Sequence, residues 1–220
     1  MSEGRVKHIY FIRHGETKRN RQYFHQGPDE PLTERGREQV ATLIEFLRDK
    51  KIDTLISSDM KRAVETAELV GTALGLSSRV ERSVREFGRP LGVYDRHYLS
   101  LPSLRYFIDL YRHRLDLLWH TDDAENLVHI RERVRDARLM LEASEGKCIA
   151  VISHRIFMTM FAETVCYDRP LSLWKFFYGL IGRKRIPNTG ILHLTCEPTV
   201  PAEKKCTWFL EEVVLPPYNR

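Results

Sequence analysis

The chain switches between two hydrophobic periods. Ile9, Tyr10, Phe11 and Ile12 form a continuous apolar, β-favouring run that stops at Arg13-His14-Gly15. This is the pattern of a buried strand, Val6 to Arg13, feeding a polar loop. After the turn-rich Gly27-Pro28-Asp29-Glu30-Pro31, Thr33 is a candidate N-cap. Val40, Leu43, Ile44 and Leu47 then recur at the spacing of one buried helical face. Ile52 to Ser57 reads as a second strand, and Asp59 as the cap of a helix with Ala63, Ala67, Val70 and Leu74 inward. Gly75 ends that helix, and a weaker strand follows from Arg79 to Val84.

The middle of the chain breaks the rhythm. No strand signal occurs from Leu101 to Ala143; Leu104, Ile108, Tyr111, Leu115 and Leu118 make an apolar stripe, and a second helix is expected from about Glu125 to Ala143. Strand character returns at Lys147 to Ser153. Helical stretches follow, through Val165 and from Leu171 to Ile181. Pro187-Asn188-Thr189-Gly190 is turn chemistry, and Ile191–Cys196 with Thr207–Val214 predict a hairpin. The order predicts an α/β fold: a three-layer sandwich with a mostly parallel central sheet and helices on both faces. Residues 1–220 are expected to form one domain, with a helical insertion at about 93–143 over the C-terminal strand ends.

Composition narrows the class. A 42% hydrophobic content supplies a core and argues against a disordered chain. No apolar run approaches the roughly 18 residues of a membrane span, and MSEGRVKH lacks the apolar centre of a signal peptide. The expectation is a cytoplasmic protein with no membrane partner. The formal charge is +5 and the pI about 9.0, but the arginines are scattered. A small phosphorylated ligand explains that excess as well as a nucleic acid does, and no nucleic-acid partner is expected. Cys148, Cys166, Cys196 and Cys206 contain no CxxC pair. Free thiols are expected, with Cys148 and Cys196 buried in strands.

The candidate chemistry collects at three strand ends. The first carries Arg13-His14, the second Ser57-Ser58-Asp59 and then Arg62, the third Ser153-His154-Arg155. In parallel α/β sheets the carboxyl ends of the strands face one side, where ligands bind, and helix N-termini there favour anions. Each residue alone has an ordinary explanation; three coinciding strand ends favour a shared site.

These residues resemble the histidine phosphatase superfamily, which includes the cofactor-dependent phosphoglycerate mutases. Arg13-His14-Gly15-Glu16-Thr17 with Asn20 looks like its signature loop. Gly27 and Pro31-Leu32-Thr33-Glu34-Arg35-Gly36 look like its second segment. Ser57-Ser58-Asp59-Met60-Lys61-Arg62-Ala63-Val64-Glu65-Thr66-Ala67 and Val151-Ile152-Ser153-His154 match two more. Arg85-Glu86-Phe87-Gly88 stands where the family places its acid. The resemblance implies that His14 attacks phosphorus and becomes phosphohistidine. Arg13, Arg62 and His154 would hold the phosphoryl oxygens, with Asn20 and Gly27 at the ligand. Glu86 would protonate the leaving oxygen and then activate water. No cofactor is implied. Metal is not expected either, since Arg13 and Arg62 would repel a cation at His14, His154 and Glu16.

Two departures qualify the match. Arg155 replaces the glycine that usually follows the second histidine, and is carried as a possible substrate contact. Glu86-Phe87-Gly88 replaces the mutases' Glu-Arg-His-Tyr-Gly run, which favours hydrolysis over mutase chemistry. A phosphoglycerate mutase and a non-catalytic phospho-ligand binder stay as alternatives. Aromatic and basic residues between Tyr94 and Trp119, and the Arg183-Lys184-Arg185 cluster, are candidates for specificity without a named substrate; the oligomeric state is open.

Overall fold

The structure, a computed structural model, describes residues 6–122, 124–166, 186–197 and 206–216. Its described elements run β1 (Lys7–Arg13), α1 (Lys18–Arg21), α2 (Glu34–Arg48), β2 (Thr54–Ser57), α3 (Lys61–Leu74), β3 (Ser78–Val80), α4 (Leu101–Arg112), α5 (Leu127–Ala143), β4 (Cys148–Ser153), α6 (Arg155–Thr164), β5 (Ile191–Cys196) and β6 (Trp208–Val214). The strands form one sheet in the order β3-β2-β4-β1-β5-β6. β3, β2, β4 and β1 pair in parallel, whereas β5 and β6 run antiparallel. The expected Leu171–Ile181 helix and the Arg183–Arg185 cluster lie outside the described residues.

Strand alternation divides the core into two layers. Ile9 and Phe11 of β1, Ile56 of β2 and Ile149 and Val151 of β4 face a cluster completed by Ile130, Val134, Ala137 and Leu141 of α5 and Phe157 and Phe161 of α6. Their neighbours Tyr10, Ile12, Leu55, Ala150 and Ile152 face the other way. They meet Val40, Leu43 and Leu47 of α2 and Ala63, Ala67 and Val70 of α3. A period of two along a doubly covered sheet produces this continuous apolar reading. The mixed α/β sandwich expected from the sequence is therefore observed.

Local signals held where chain neighbours decide the outcome. Thr33 Oγ1 accepts the Gly36 N–H at 3.0 Å, so α2 begins as its cap predicts. Gly75, at φ 69°, closes α3 in the left-handed region that glycine tolerates. Thr17 and Asn20 form a reciprocal capping box around the short α1, an element the periodicity did not signal.

Several expectations are corrected. Asp59 does not cap α3: Met60 holds that position without a side-chain bond, and Asp59 instead pairs with Arg82 and Arg85. The strand expected at Arg79–Val84 lasts only through Val80 and gives way to a 3₁₀ turn, Arg82–Val84. The apolar stripe of α4 is shifted. The buried positions are Ser103, Tyr106 and Leu110, while Leu104, Ile108, Leu115 and Leu118 stand exposed. The helix ends at Arg112, before Leu115 and Leu118. Ser103 is inward because its hydroxyl bonds to the His97 carbonyl and to His25, which a count of apolar positions does not register. Cys166 and Cys206 form a disulfide, contrary to the expected free thiols; Cys148 and Cys196 are free, Cys196 buried as expected and Cys148, at the start of its strand, only half-buried.

Candidate functional site

The register of β1 on β4 sets Arg13 opposite Ser153, so the next residues, His14 and His154, leave adjacent strand ends together. Their ring centroids are 5.1 Å apart. Both are buried, as is Arg62, which α3 brings in from the end of β2. Arg62 Nε donates to His14 Nε2 at 3.2 Å, and a terminal nitrogen of Arg62 donates to the Gly27 carbonyl at 2.8 Å. His14 Nδ1 lies 2.7 Å from the Gly15 carbonyl. A carbonyl only accepts, so Nδ1 carries the proton and Nε2 presents its lone pair.

The loop carrying His14 is held from three sides. Gly15 N–H donates to Thr66 Oγ1, the His14 carbonyl accepts from Asn188 Nδ2, and the Arg13 carbonyl accepts from Thr189 N–H. Gly15 passes so close to the first turn of α2 that a Cβ would lie 2.7 Å from the Gly36 carbonyl oxygen. Glycine is needed here for close backbone approach. Thr189 adopts φ 57°, a costly choice for a β-branched residue. Its hydrogen bond to the loop that carries His14 gives that geometry a purpose.

Charge in the cup rests on the guanidiniums. Burial first, then Arg62 and Arg13, lowers the His14 pKa well below the usual imidazole range, outweighing the Gly15 carbonyl. Burial, then Arg62, His14, Arg133 and Arg13, does the same to His154. Both rings are therefore neutral near pH 7 in the free protein. Burial also lowers Arg13 and Arg62, each to about 10, with Arg155 adding to the effect at Arg13 and Glu86 opposing it at Arg62. Both still carry their charge near neutrality. His154 Nε2 pairs with Ser58 Oγ at 2.6 Å. His154 Nδ1, Arg13 Nε and Asn20 Nδ2 are buried without partners. Arg13 also donates to the Ile186 carbonyl at 2.8 Å.

Glu86 is buried rather than paired at the surface with Arg85. Its Oε1 accepts the Phe157 N–H at 3.1 Å, at the start of α6, and its own neighbour's Phe87 N–H at 3.0 Å. The loop beneath it hangs on Arg133, which donates to the Ser83, Arg85 and Glu86 carbonyls and grips both oxygens of Glu125 at 2.7 Å. Glu125 in turn accepts the Gly88 N–H. Arg155 opens α6 next to the cup, half-buried and close enough to perturb Arg13.

The structure thus brings Arg13, His14, Arg62 and His154 to one cup. Gly27 meets it through the carbonyl that Arg62 holds, Asn20 lies on α1 bonded to Thr17, and Glu86 and Arg155 lie at the adjoining helix end. Sequence reasoning gave Ser58 only as part of a polar strand end and Thr189 only as turn chemistry, and missed Glu125, Arg133 and the buried Arg89, for which no local pattern carried a signal. Among the described residues no cluster of histidine, cysteine and carboxylate side chains suits a metal ion. No helix among them is long and apolar enough to cross a membrane.

The sequence and the fold match known proteins. The profile of the histidine phosphatase superfamily (branch 1) covers residues 9–204, and the chain belongs to that superfamily. A protein of Salmonella arizonae named probable phosphoglycerate mutase GpmB is 30% identical over 162 residues, covering 71% of this chain and 74% of its own. Solved structures share the fold at lower identity. A mycobacterial glucosyl-3-phosphoglycerate phosphatase superposes with a TM-score of 0.69 at 23% identity, over 94% of this chain and 98% of that one. The α-ribazole phosphatase of Shigella flexneri gives 0.69 at 21%, over 94% and 95%.

Proposed function

We propose that this protein hydrolyses phosphate monoesters of small molecules through a phosphohistidine at His14, without a metal. The observation that carries the reading is the unprotonated His14 Nε2, facing Arg62 Nε at 3.2 Å with the second imidazole alongside. In the first half-reaction His14 Nε2 forms a bond to phosphorus as the bond to the leaving oxygen breaks. Arg13, Arg62 and His154 take the phosphoryl oxygens, and Arg62 then releases His14 to bind charge developing on the group. Glu86 gives its proton to the leaving oxygen. In the second half-reaction water attacks phosphorus, the P–N bond breaks, Glu86 accepts the water proton, and inorganic phosphate leaves. Asn20 Nδ2, buried and unpartnered, is a neutral donor for the same group, and Arg155 a flanking cation. The phosphatase neighbours support this reading at the level of fold.

Metal-free assay with p-nitrophenyl phosphate tests it. Turnover is expected, with an acid-labile phosphoryl group trapped on the wild type and absent from His14→Ala. Turnover that survives in His14→Ala overturns the nucleophile. A phosphoglycerate mutase is the second reading, favoured by the name of the 30%-identical relative. It predicts interconversion of 3- and 2-phosphoglycerate that requires priming by a bisphosphoglycerate.

A further inference from the structure

We propose that Ser58 is a positioning residue: its hydroxyl holds the His154 ring in the tautomer that carries the proton on Nδ1, so that the cup gains one directed N–H donor for a phosphoryl oxygen. The proposal rests on the phosphatase reading above and deepens it by assigning the donor atom.

Ser58 stands one residue past the end of β2 and is fully buried, as is His154. Its Oγ lies 2.6 Å from His154 Nε2 and accepts the Met60 N–H at 3.3 Å. A hydroxyl has one proton to give. Among the described residues, the one partner of Ser58 Oγ that can accept it is His154 Nε2. That bond requires Nε2 to be bare, and the ring proton is then on Nδ1. The reverse arrangement, with Nε2–H donating to Oγ, would bury the Ser58 hydroxyl proton with nothing to receive it, a cost that the first arrangement avoids.

Main-chain bonds fix both partners. Ser58 N–H donates to the Ile152 carbonyl at 3.0 Å, which ties the end of β2 to the end of β4 just before His154. Ser57 Oγ donates to the Ser58 carbonyl at 2.9 Å. His154 opens α6, and its carbonyl accepts the Met158 N–H at 2.9 Å.

The other ring nitrogen, His154 Nδ1, is buried without a partner. Burial, with Arg62 next, holds the ring neutral, so it has a single proton to place. With Nε2 engaged by Ser58, any hydrogen bond from this ring to the phosphoryl group leaves from Nδ1. A proton there attracts an anionic oxygen, and a lone pair there repels it. His14 stands alongside, its ring centroid 5.1 Å away and its own proton on Nδ1 against the Gly15 carbonyl. The two rings thus share one tautomer and use opposite ends, His14 the bare Nε2 and His154 the protonated Nδ1.

Nitrogen NMR of the His154 ring in the free protein, its signals identified by their absence from His154→Asn, reads the tautomer without any turnover. The wild type is expected to show a protonated Nδ1 and a bare Nε2 near pH 7. Ser58→Ala should move proton onto Nε2 and lower kcat on p-nitrophenyl phosphate ten- to fiftyfold, with KM changed less than threefold. Ser58→Thr, which keeps the hydroxyl, should restore the tautomer and most of kcat. A wild-type ring protonated on Nε2 overturns the proposal. So does a loss of kcat in Ser58→Ala with the tautomer unmoved, which is the signature of a serine that only supports the fold, or a moved tautomer with kcat unchanged. If Ser58→Ala does not fold, the wild-type tautomer decides alone. Absence of turnover in the wild type counts against the phosphatase reading; calorimetric titration with orthovanadate then replaces kcat. Binding weakened tenfold or more in Ser58→Ala together with the moved tautomer supports the positioning role, and equal binding overturns it.

Discussion

Two regions meet at the cup, and they are built differently. The ends of β1, β2 and β4 deliver Arg13, His14, Arg62 and His154 from a sheet whose register leaves little freedom. The segment from Arg82 to Asn126 delivers Glu86 from 3₁₀ turns and loops held by long-range polar contacts. Under the proposed reading, the first region handles the phosphoryl group and the second faces whatever that group is attached to. The contrast teaches that one fold secures adjoining parts of a candidate site in two ways, one by backbone pairing and the other by side-chain bonds.

The sharpest way to break the comparison is His14→Ala. Activity should fall by at least about 10⁴-fold, read as kcat/KM on p-nitrophenyl phosphate, while the melting temperature stays within a few degrees. Arg62→Ala should follow, with a loss of about 3–4 kcal/mol of transition-state stabilisation, roughly 10²–10³-fold in kcat. In the second region, Arg133→Met leaves the half-buried Glu125 without its cation and three loop carbonyls without their donor. Chemical denaturation should show a loss of about 2 kcal/mol, and kcat should fall most for esters with poor leaving groups, because Glu86 loses its support.

Acid adds an effect that the buried histidines set. His14, His154 and His25 are held neutral in the fold, with burial the first cause at each and His25 pushed down to about 2. Their folded pKa values lie below the unfolded value of about 6.5, so the unfolded chain binds more protons as pH falls. Stability is fully present above about pH 6.5 and is lost below it, by up to about 1.4 kcal/mol per pH unit for each histidine. Melts from pH 7 to 4.5 should show this decline, and replacing His25 by Gln should flatten it. The smallest change is expected at Asp59, whose ion pairs with Arg82 and Arg85 are partly exposed. Asp59→Asn should cost under about 1 kcal/mol.

Much of the first region was legible in the residues. A strand that ends in Arg13-His14 announces itself through its continuous apolar run, and Thr33 and Gly75 mark helix ends by their own chemistry. The candidate cup followed because parallel strands send their carboxyl ends to one side. The second region was not legible. Tyr106 and Leu110 rather than Leu104 and Ile108 face inward, because α4 packs on the 3₁₀ turn at Leu91–Val93 and pairs Ser103 with His25. Asp59 looked like a cap because its residue type favours caps. It turned instead toward two arginines that the chain brings back more than twenty residues later.

By itself the sequence determined the alternation of strands and helices, the two faces of the sheet and the identity of the groups that could handle phosphate. Those depend on neighbours a few positions apart, where sterics and burial act directly on the local pattern. Only the tertiary structure decided which nitrogen of His14 is free, which cations are buried without a counter-charge, that Cys166 meets Cys206, and how Glu125 and Arg133 hold the Glu86 loop. Each of these joins residues distant in sequence. Their energies come from desolvation and directional bonds that exist only after the chain has closed around them.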